Sequence, residues 1–514
     1  MAGGIEKRVW LAIAVAGFLS CSRERLAPEP REIVVGLEAS PSTLDPRLAR
    51  DAYALQIMPL VFPGLFETGE NLEPEPNLVS GYEQMDERTY LFQLKPGMRF
   101  ANGRELGSAD VKATIESLKQ PGLNSPYAEL ADRIQAIEIL DRFRLKIELT
   151  EPFAPILVQL NLGILPAELA GKSSSLKTEE LYGAGPFQVE SFEPGAKLSL
   201  RQNPYFRGAR PYFERIEFRI IPEDTTRLLS LEKGEIQILQ NPIPVDELKR
   251  LKADPRLTVS EQLGINYTYL GFNFRDPILS SLPVRQAIAH SLNRGQLINC
   301  LLKGTVTKAE SLISPRHWAY EPEVAAYDYH PDLAMTLLDQ AGFPDPDGIG
   351  PKPRFKLIYK TSQNQQRIWI AQAIADQLGK VGIDVEVRSL EWGTLFADIQ
   401  AGNFQIYTLT WVGVVEPDIY YTAFHSQSLP PKGANRGRYQ NPGLDQLLDQ
   451  ARTNPSRPER KVFYSRVQKI LAQDLPYVSL WYSNNLVVSD QRLLGFELGP
   501  GGEWTGLARA RWRE

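Results

Sequence analysis

The chain has 514 residues, 43% of them hydrophobic and 23% charged, and a formal net charge of −5. A single core stops growing at roughly 250 to 300 residues, so this length implies two or three cores. Lysine and arginine are scattered among acids with no run of one sign, which argues against a nucleic-acid partner, and the 10% of aromatic residues invites a search for a binding cleft.

In chain order, Lys7 and Arg8 precede an apolar run, Val9 to Leu19, that meets Ser20 and Cys21. Charge, a short apolar core and small residues are the layout of a secretory signal, and the run is too short to cross a bilayer core of about 30 Å as a helix. The ending Phe18-Leu19-Ser20-Cys21 resembles a bacterial lipoprotein signal, with phenylalanine where leucine is usual. That resemblance implies a signal over residues 1–21 and lipid on Cys21; an ordinary signal with an unmodified cysteine is the alternative. Only Cys300 is left for pairing, so no disulfide is expected. Residues 22–32, with Pro28 and Pro30 among charges, read as an extended tether.

Ile33 to Leu37 reads as a strand and Ala39 to Pro46 as a turn rich in serine, proline and threonine. The apolar spacing from Tyr53 to Phe66 is helical. Tyr82 to Gln84 and Tyr90 to Leu94 begin an antiparallel meander, Ser108 caps a helix through Leu118, and Ile134 to Leu140 with Arg144 to Leu149 form a hairpin. Further strands are Gln188 to Phe192 and Lys197 to Arg201. Ile216 to Ile221, the helix Asp224 to Lys233 and Ile236 to Leu239 make a crossover unit. Tyr267 to Phe274 is a strand, and Val284, Ala287, Ile288 and Leu292 mark a buried helix face. Phe355 to Tyr359, the helix Gln366 to Gly379 and Ile383 to Val387 form a second α/β unit. Leu395, Phe396 and Ile399 recur at helical spacing, Gly402 stops that helix, and the strand Phe404 to Thr410 delivers Trp411 into the loop Val412 to Asp418. Helices Leu444 to Ala451 and Val462 to Ala472 and strands Tyr477 to Trp481 and Leu486 to Val488 follow. The pattern is two α/β bodies with a long insertion between Thr68 and Tyr182.

Catalytic signatures are missing: there is no GxSxG, HExxH, Walker-type glycine loop or GxGxxG. His290, His317, His330 and His425 fall at no metal-ligand spacing and read as surface or helix histidines. No catalytic residue, metal or cofactor is therefore expected, and an enzyme is not indicated.

The runs Tyr90-Leu91-Phe92-Gln93-Leu94-Lys95-Pro96-Gly97-Met98-Arg99-Phe100-Ala101-Asn102-Gly103 and Ser108-Ala109-Asp110-Val111 resemble the family 5 extracellular solute-binding proteins, the peptide-, nickel- and oligosaccharide-binding subunits of bacterial ABC importers. Gly183-Ala184-Gly185-Pro186-Phe187, Asn203-Pro204-Tyr205-Phe206, Ile221-Pro222-Glu223-Asp224-Thr225-Thr226-Arg227, Val284-Arg285-Gln286-Ala287 and Asn441-Pro442 extend the resemblance, in order, over nearly the whole chain from about Ile33. It implies a bilobal periplasmic-binding-protein fold of the α/β class, type II-like with an extra domain, with mixed sheets flanked by helices and a ligand cleft between the lobes. Domain I would comprise 33–67, 182–266 and 482–514, domain II 68–181, and domain III 267–481.

The resemblance further implies capture without chemistry: a monomer binds a peptide or other small-molecule solute, closes over it, and docks on a permease served by ATPase subunits. The protein would be exported and held by the Cys21 lipid to a membrane, in the periplasm or on the outer face of the cytoplasmic membrane. A receptor or sensor lipoprotein of the same fold, working without a permease, is the alternative.

By the same resemblance, ligand-binding residues are expected at Ser40 and Thr43 in the loop after the first strand, at Trp411, Val412, Gly413, Val414 and Glu416 in the tryptophan loop, and at Trp392 and Tyr482. Peptide-binding relatives have an aspartate three residues after the tryptophan to take the peptide's α-amine; here that residue is Val414. Removing one partner of a buried charge pair costs roughly 2 to 5 kcal/mol, so Val414 argues against a free amine there. Glu416 or Asp418 offers a displaced carboxylate, against the plainer reading of solvated loop charges. An aromatic pocket without a fixed carboxylate suits a blocked peptide, an oligosaccharide or another bulky uncharged solute.

Overall fold

The computed structural model describes residues 31–348 and 350–513. The expectations for the signal, for Cys21 and for the tether up to residue 30 lie outside the described residues.

Two long antiparallel strands, Leu257–Phe272 and Tyr477–Asp490, hold the molecule together at the centre of an 11-stranded mixed sheet. Ile238–Gln240, Glu32–Leu37, Arg215–Ile220, Lys197–Gln202 and Phe187–Glu193 extend the sheet on one side, Ile406–Trp411, Phe355–Ser362 and Ile383–Leu390 extend it on the other, and the short strand Val306–Lys308 pairs with Tyr477–Asp490 off this path. Each long strand is thus shared by both halves. Apolar patterning predicts shorter pieces here, because Ser483-Asn484-Asn485 interrupts it. The backbone nevertheless keeps pairing, Gln262 with Asn485 and Asn266 with Ser483, and Asn484 ties the crossing by donating to Glu261 at 2.6 Å and accepting from the Thr307 hydroxyl at 2.9 Å. The register breaks between Gln262 and Asn266. Such bulges bend and twist a strand, and this one lies beside the boundary expected between domains I and III.

The first half buries Ile33, Val35, Phe218 and Trp504 around parallel strands Glu32–Leu37 and Arg215–Ile220. The crossover helix Asp224–Glu232 starts where Glu223 accepts the amides of Thr225 and Thr226. The insertion is a four-stranded antiparallel sheet, Val79–Gln84, Thr89–Leu94, Arg144–Leu149 and Ile134–Ile139, with its own core around Phe92 and Ile147. Its helix Ser108–Ser117 is capped at Gly107, not at Ser108. Asp110, held by Arg104 at 2.6 Å, accepts the Gly107 amide, while the Ser108 amide is taken by the Arg142 carbonyl.

The second half has a core on each face of its sheet. Leu270, Leu357, Ile374 and Ile406 lie in one, Tyr267, Tyr269, Tyr407 and Tyr464 in the other. Successive strand residues point to opposite faces. In Ile406–Trp411 this puts Tyr407, Leu409 and Trp411 with the tyrosines and turns Thr408 and Thr410 the other way.

Candidate ligand-binding site

On the threonine face, where the long strands pass between the halves, lies a cleft with an empty volume of about 950 Å³, counting its solvent-open mouth. Thr268, Thr408, Thr410 and Trp481 come from the central strands, and the Thr268 and Thr410 hydroxyls bond at 2.9 Å. Gln366, Arg367 and Ile370 come from the start of the helix Gln365–Gly379, whose cap, Asn364, accepts the Arg367 amide at 3.1 Å and fixes that residue on the first turn. Asn241, Pro242, Ile243 and Val245 close the cleft from the first half. The lining mixes hydroxyls, amides and apolar groups, as small-molecule pockets do, and its one ionisable side chain is Arg367. Burial lowers that guanidinium's pKa.

None of the ligand residues expected from the sequence is among this lining. Trp392 comes nearest, with the Arg367 guanidinium 5.6 Å from its ring. The helix Trp392–Ala401 that carries it is capped by Glu391, which accepts the Thr394 amide, and ended by Gly402 at φ 83°. Trp411 closes its strand half-buried on the opposite face, and its indole nitrogen has no acceptor among the described residues. Val412 is exposed. Gly413, at φ 67°, donates its amide to Asn266 at 2.9 Å, and Val414, buried in the tyrosine-rich core, donates to the Ile265 carbonyl at 3.3 Å. The tryptophan loop is therefore pinned to the register break of the long strand.

Glu416 and Asp418 are not solvated loop charges. Both are largely buried and ion-paired, Glu416 with Arg460 and Asp418 with Arg452 at 3.0 Å, because the helices Pro442–Thr453 and Arg457–Asp474 bring arginines under the loop. Burial raises both carboxyl pKa values, Asp418 to about 7, against the pull of the arginines. Tyr482 is a core residue, its hydroxyl 2.6 Å from the Ser311 carbonyl and 2.8 Å from that of Ile313. In the first loop, the Ser40 hydroxyl donates to the Pro41 carbonyl at 3.2 Å and Thr43 accepts the Asp45 amide at 3.1 Å. A fully buried Asp45–Arg47 pair anchors that loop to the carbonyls of Ala170 and Lys172. Two histidines also differ from expectation. His317 and His425 are buried, and His317 holds the tryptophan loop through the Val415 carbonyl.

The halves touch through that loop. Val415 reaches a small cavity walled by Phe66, Leu72, Pro74 and Val158 of the first half and insertion. Arg457 pairs with Glu73, Arg316 bonds the carbonyls of Glu70 and Leu263, and the Ala154 amide donates to the Arg452 carbonyl at 2.9 Å. Among the described residues no cluster of side chains fits a metal ion, and no helix is long and apolar enough to cross a membrane.

Residues 73–429 match the family model described as bacterial extracellular solute-binding proteins, family 5, middle. The oligopeptide-binding protein AppA of Bacillus subtilis is 25% identical over 502 residues, covering 93% of this chain and 92% of its own, and the probable D,D-dipeptide-binding periplasmic protein DdpA of Escherichia coli is 27% identical over 485 residues, covering 91% and 92%. The solved structure of AppA from Bacillus subtilis in complex with a nonapeptide has TM-score 0.77 at 24% identity, over 94% of this chain and 99% of that one, and shares the bilobal periplasmic-binding-protein fold. With the family model matched over most of its length, and with two halves joined by paired strands beside a cleft, the chain belongs to the bacterial extracellular solute-binding proteins of family 5.

Proposed function

We propose that the protein captures a peptide-like or other bulky solute in the cleft between its halves and delivers it to the permease of an ABC importer. The observation that carries this reading is the cleft itself, walled from both halves across two shared strands. A solute touching both walls favours the closed state by its differential affinity, and closure gives a permease one shape to recognise. The relatives' names, oligopeptide-binding and D,D-dipeptide-binding, support a peptide-like cargo.

In the same proposal the protein works as an exported monomer tethered by lipid on Cys21. Of the residues expected from the sequence, Trp392, beside Arg367 of the cleft wall, borders the bound solute, while Gly413, Val414, Glu416 and Tyr482 keep the tryptophan loop in place. A thermal-shift screen against N-blocked and free tripeptides and short oligosaccharides tests capture. A ligand at a hundredfold its dissociation constant adds about 2.7 kcal/mol to folding stability, so a clear rise in melting temperature is expected for at least one class. No rise with any class would contradict the proposal.

A further inference from the structure

Arg31 stands on a basic face of the first half. Its carbonyl accepts the Glu214 amide, and its guanidinium lies 5.9 Å from the ring of Tyr212. From there three rings run in contact, Tyr212 to Phe213 at 5.2 Å and Phe213 to Trp512 at 5.4 Å, and Arg492 lies 5.5 Å from the ring of Trp512. Trp512 belongs to the short strand Arg511–Trp512, which pairs with Leu493–Leu494. Strand alternation buries Trp512 and turns its neighbours Arg511 and Arg513 to solvent. Arg210 joins them from the loop before Tyr212: its Nε donates to Gln202 at 3.1 Å, and Gln202 donates to the Phe213 carbonyl at 3.0 Å.

Five arginines thus surround the three rings, and two carboxylates answer them, Glu214 paired with Arg31 at 3.2 Å and Asp490 with Arg492 at 2.9 Å. Arg210, Arg511 and Arg513 are exposed and make no ion pair among the described residues. This local excess stands against a net charge of −5 for the whole chain. An anionic surface repels such a body on average and attracts it by a face of this kind, so the contact fixes an orientation. Phe213 leads into Arg215–Ile220, which with Lys197–Gln202 and Phe187–Glu193 forms the sheet's outer edge, away from the second half. A surface docked here leaves the cleft clear.

The chain ahead of Arg31 indicates which surface that is. Cys21 lies ten residues earlier, a stretch that spans at most about 36 Å when fully extended, so a lipid on Cys21 keeps this face beside a membrane. A lipid anchor and a basic patch act together, each arginine near an anionic surface adding roughly fivefold in partition.

We propose that Arg31, Arg210, Arg511 and Arg513, around Tyr212, dock on anionic phospholipid headgroups and set the orientation in which the tethered protein presents its cleft. This rests on the reading of Cys21 as lipidated and adds an electrostatic contact to it.

The test is vesicle flotation of the full chain, with Cys21 intact and as Cys21→Ser, on phosphatidylcholine alone or with about one third phosphatidylglycerol. The Cys21→Ser protein is expected to partition at least ~10-fold more strongly onto the phosphatidylglycerol vesicles at about 0.05 M salt and to lose that preference at about 0.5 M. Adding Arg210→Gln, Arg511→Gln and Arg513→Gln to the Cys21→Ser chain should also remove the preference, whereas lysine at the same three positions should keep it, with melting curves showing both variants folded. All these proteins retain Lys7, Arg8 and the apolar run, so a difference between them reports on the folded face. Equal partition onto both vesicles, or a preference that survives the glutamine variant, overturns the inference. Flotation of the intact chain on phosphatidylcholine alone tests the anchor separately: its absence overturns the anchor reading, and the preference of the Cys21→Ser protein still decides the inference.

Discussion

Val414 occupies the position where the resemblance places an amine-binding aspartate, and its side chain, 5% exposed, packs among the tyrosines of the second half. Val414→Asp would bury a carboxylate without a partner. We expect a loss of about 2–4 kcal/mol in urea unfolding and no gain in affinity for free-amine peptides. Glu416 makes the complementary case. Arg460→Met should destabilise by about 3–5 kcal/mol because it strands a buried charge, whereas the double change Glu416→Leu, Arg460→Met should recover most of the loss. These roles are not legible in the sequence. Two acids flanking Pro417 look like loop charges until helices whose arginines are 34 and 44 residues further along arrive beneath them.

At the scale of elements, the tryptophan loop is a fastened strap. Gly413 holds φ 67°, so Gly413→Ala should cost about 1–2 kcal/mol in stability by urea unfolding. His317 fastens the far end: its Nδ1 accepts the Ala319 amide at 3.0 Å and its Nε2–H donates to the Val415 carbonyl. Burial lowers its pKa from 6.5 to about 3. The unfolded chain therefore binds a proton below about pH 6.5 that the folded chain refuses until about pH 3, so this contribution is lost as pH falls through that window, by up to about 1.4 kcal/mol per pH unit. Asp418, with its pKa raised to about 7, acts oppositely, its contribution falling as pH rises from about 4 to 7. Urea midpoints of wild type and His317→Phe across the window should differ in slope by the histidine's share; parallel curves would contradict it.

The helix before the strap and its strand are legible from apolar spacing, a terminal glycine and a β-branched run. Thr408 and Thr410 are legible as the polar face of that strand, but what they face is set by the partner strand and by a helix from the preceding α/β unit. The long strands are the element that patterning cuts short, because polar Ser483 to Asn485 pair through backbone that hydropathy cannot see.

For the whole molecule, local periodicity reveals the insertion's meander and the second α/β unit, whereas the joining of halves depends on pairing between residues more than 200 positions apart, such as Gln262 with Asn485. Beyond the paired strands, Val415 and a few polar groups beside it bring the tryptophan loop against the first half and the insertion. Val415→Asp, placing a charge against Phe66, Leu72 and Pro74, should separate the halves and raise the radius of gyration in small-angle scattering. An unchanged radius would show that this contact does not hold them. The most direct test of the central claim, capture on the threonine face of the shared strands, is calorimetric titration of wild type and Thr410→Trp with whichever compound binds best. A tryptophan at residue 410 fills the cleft without touching the tryptophan loop, so affinity should fall at least ~100-fold, the effect of about 2.7 kcal/mol, while the melting temperature stays near that of wild type. Equal affinity in the two proteins would contradict it.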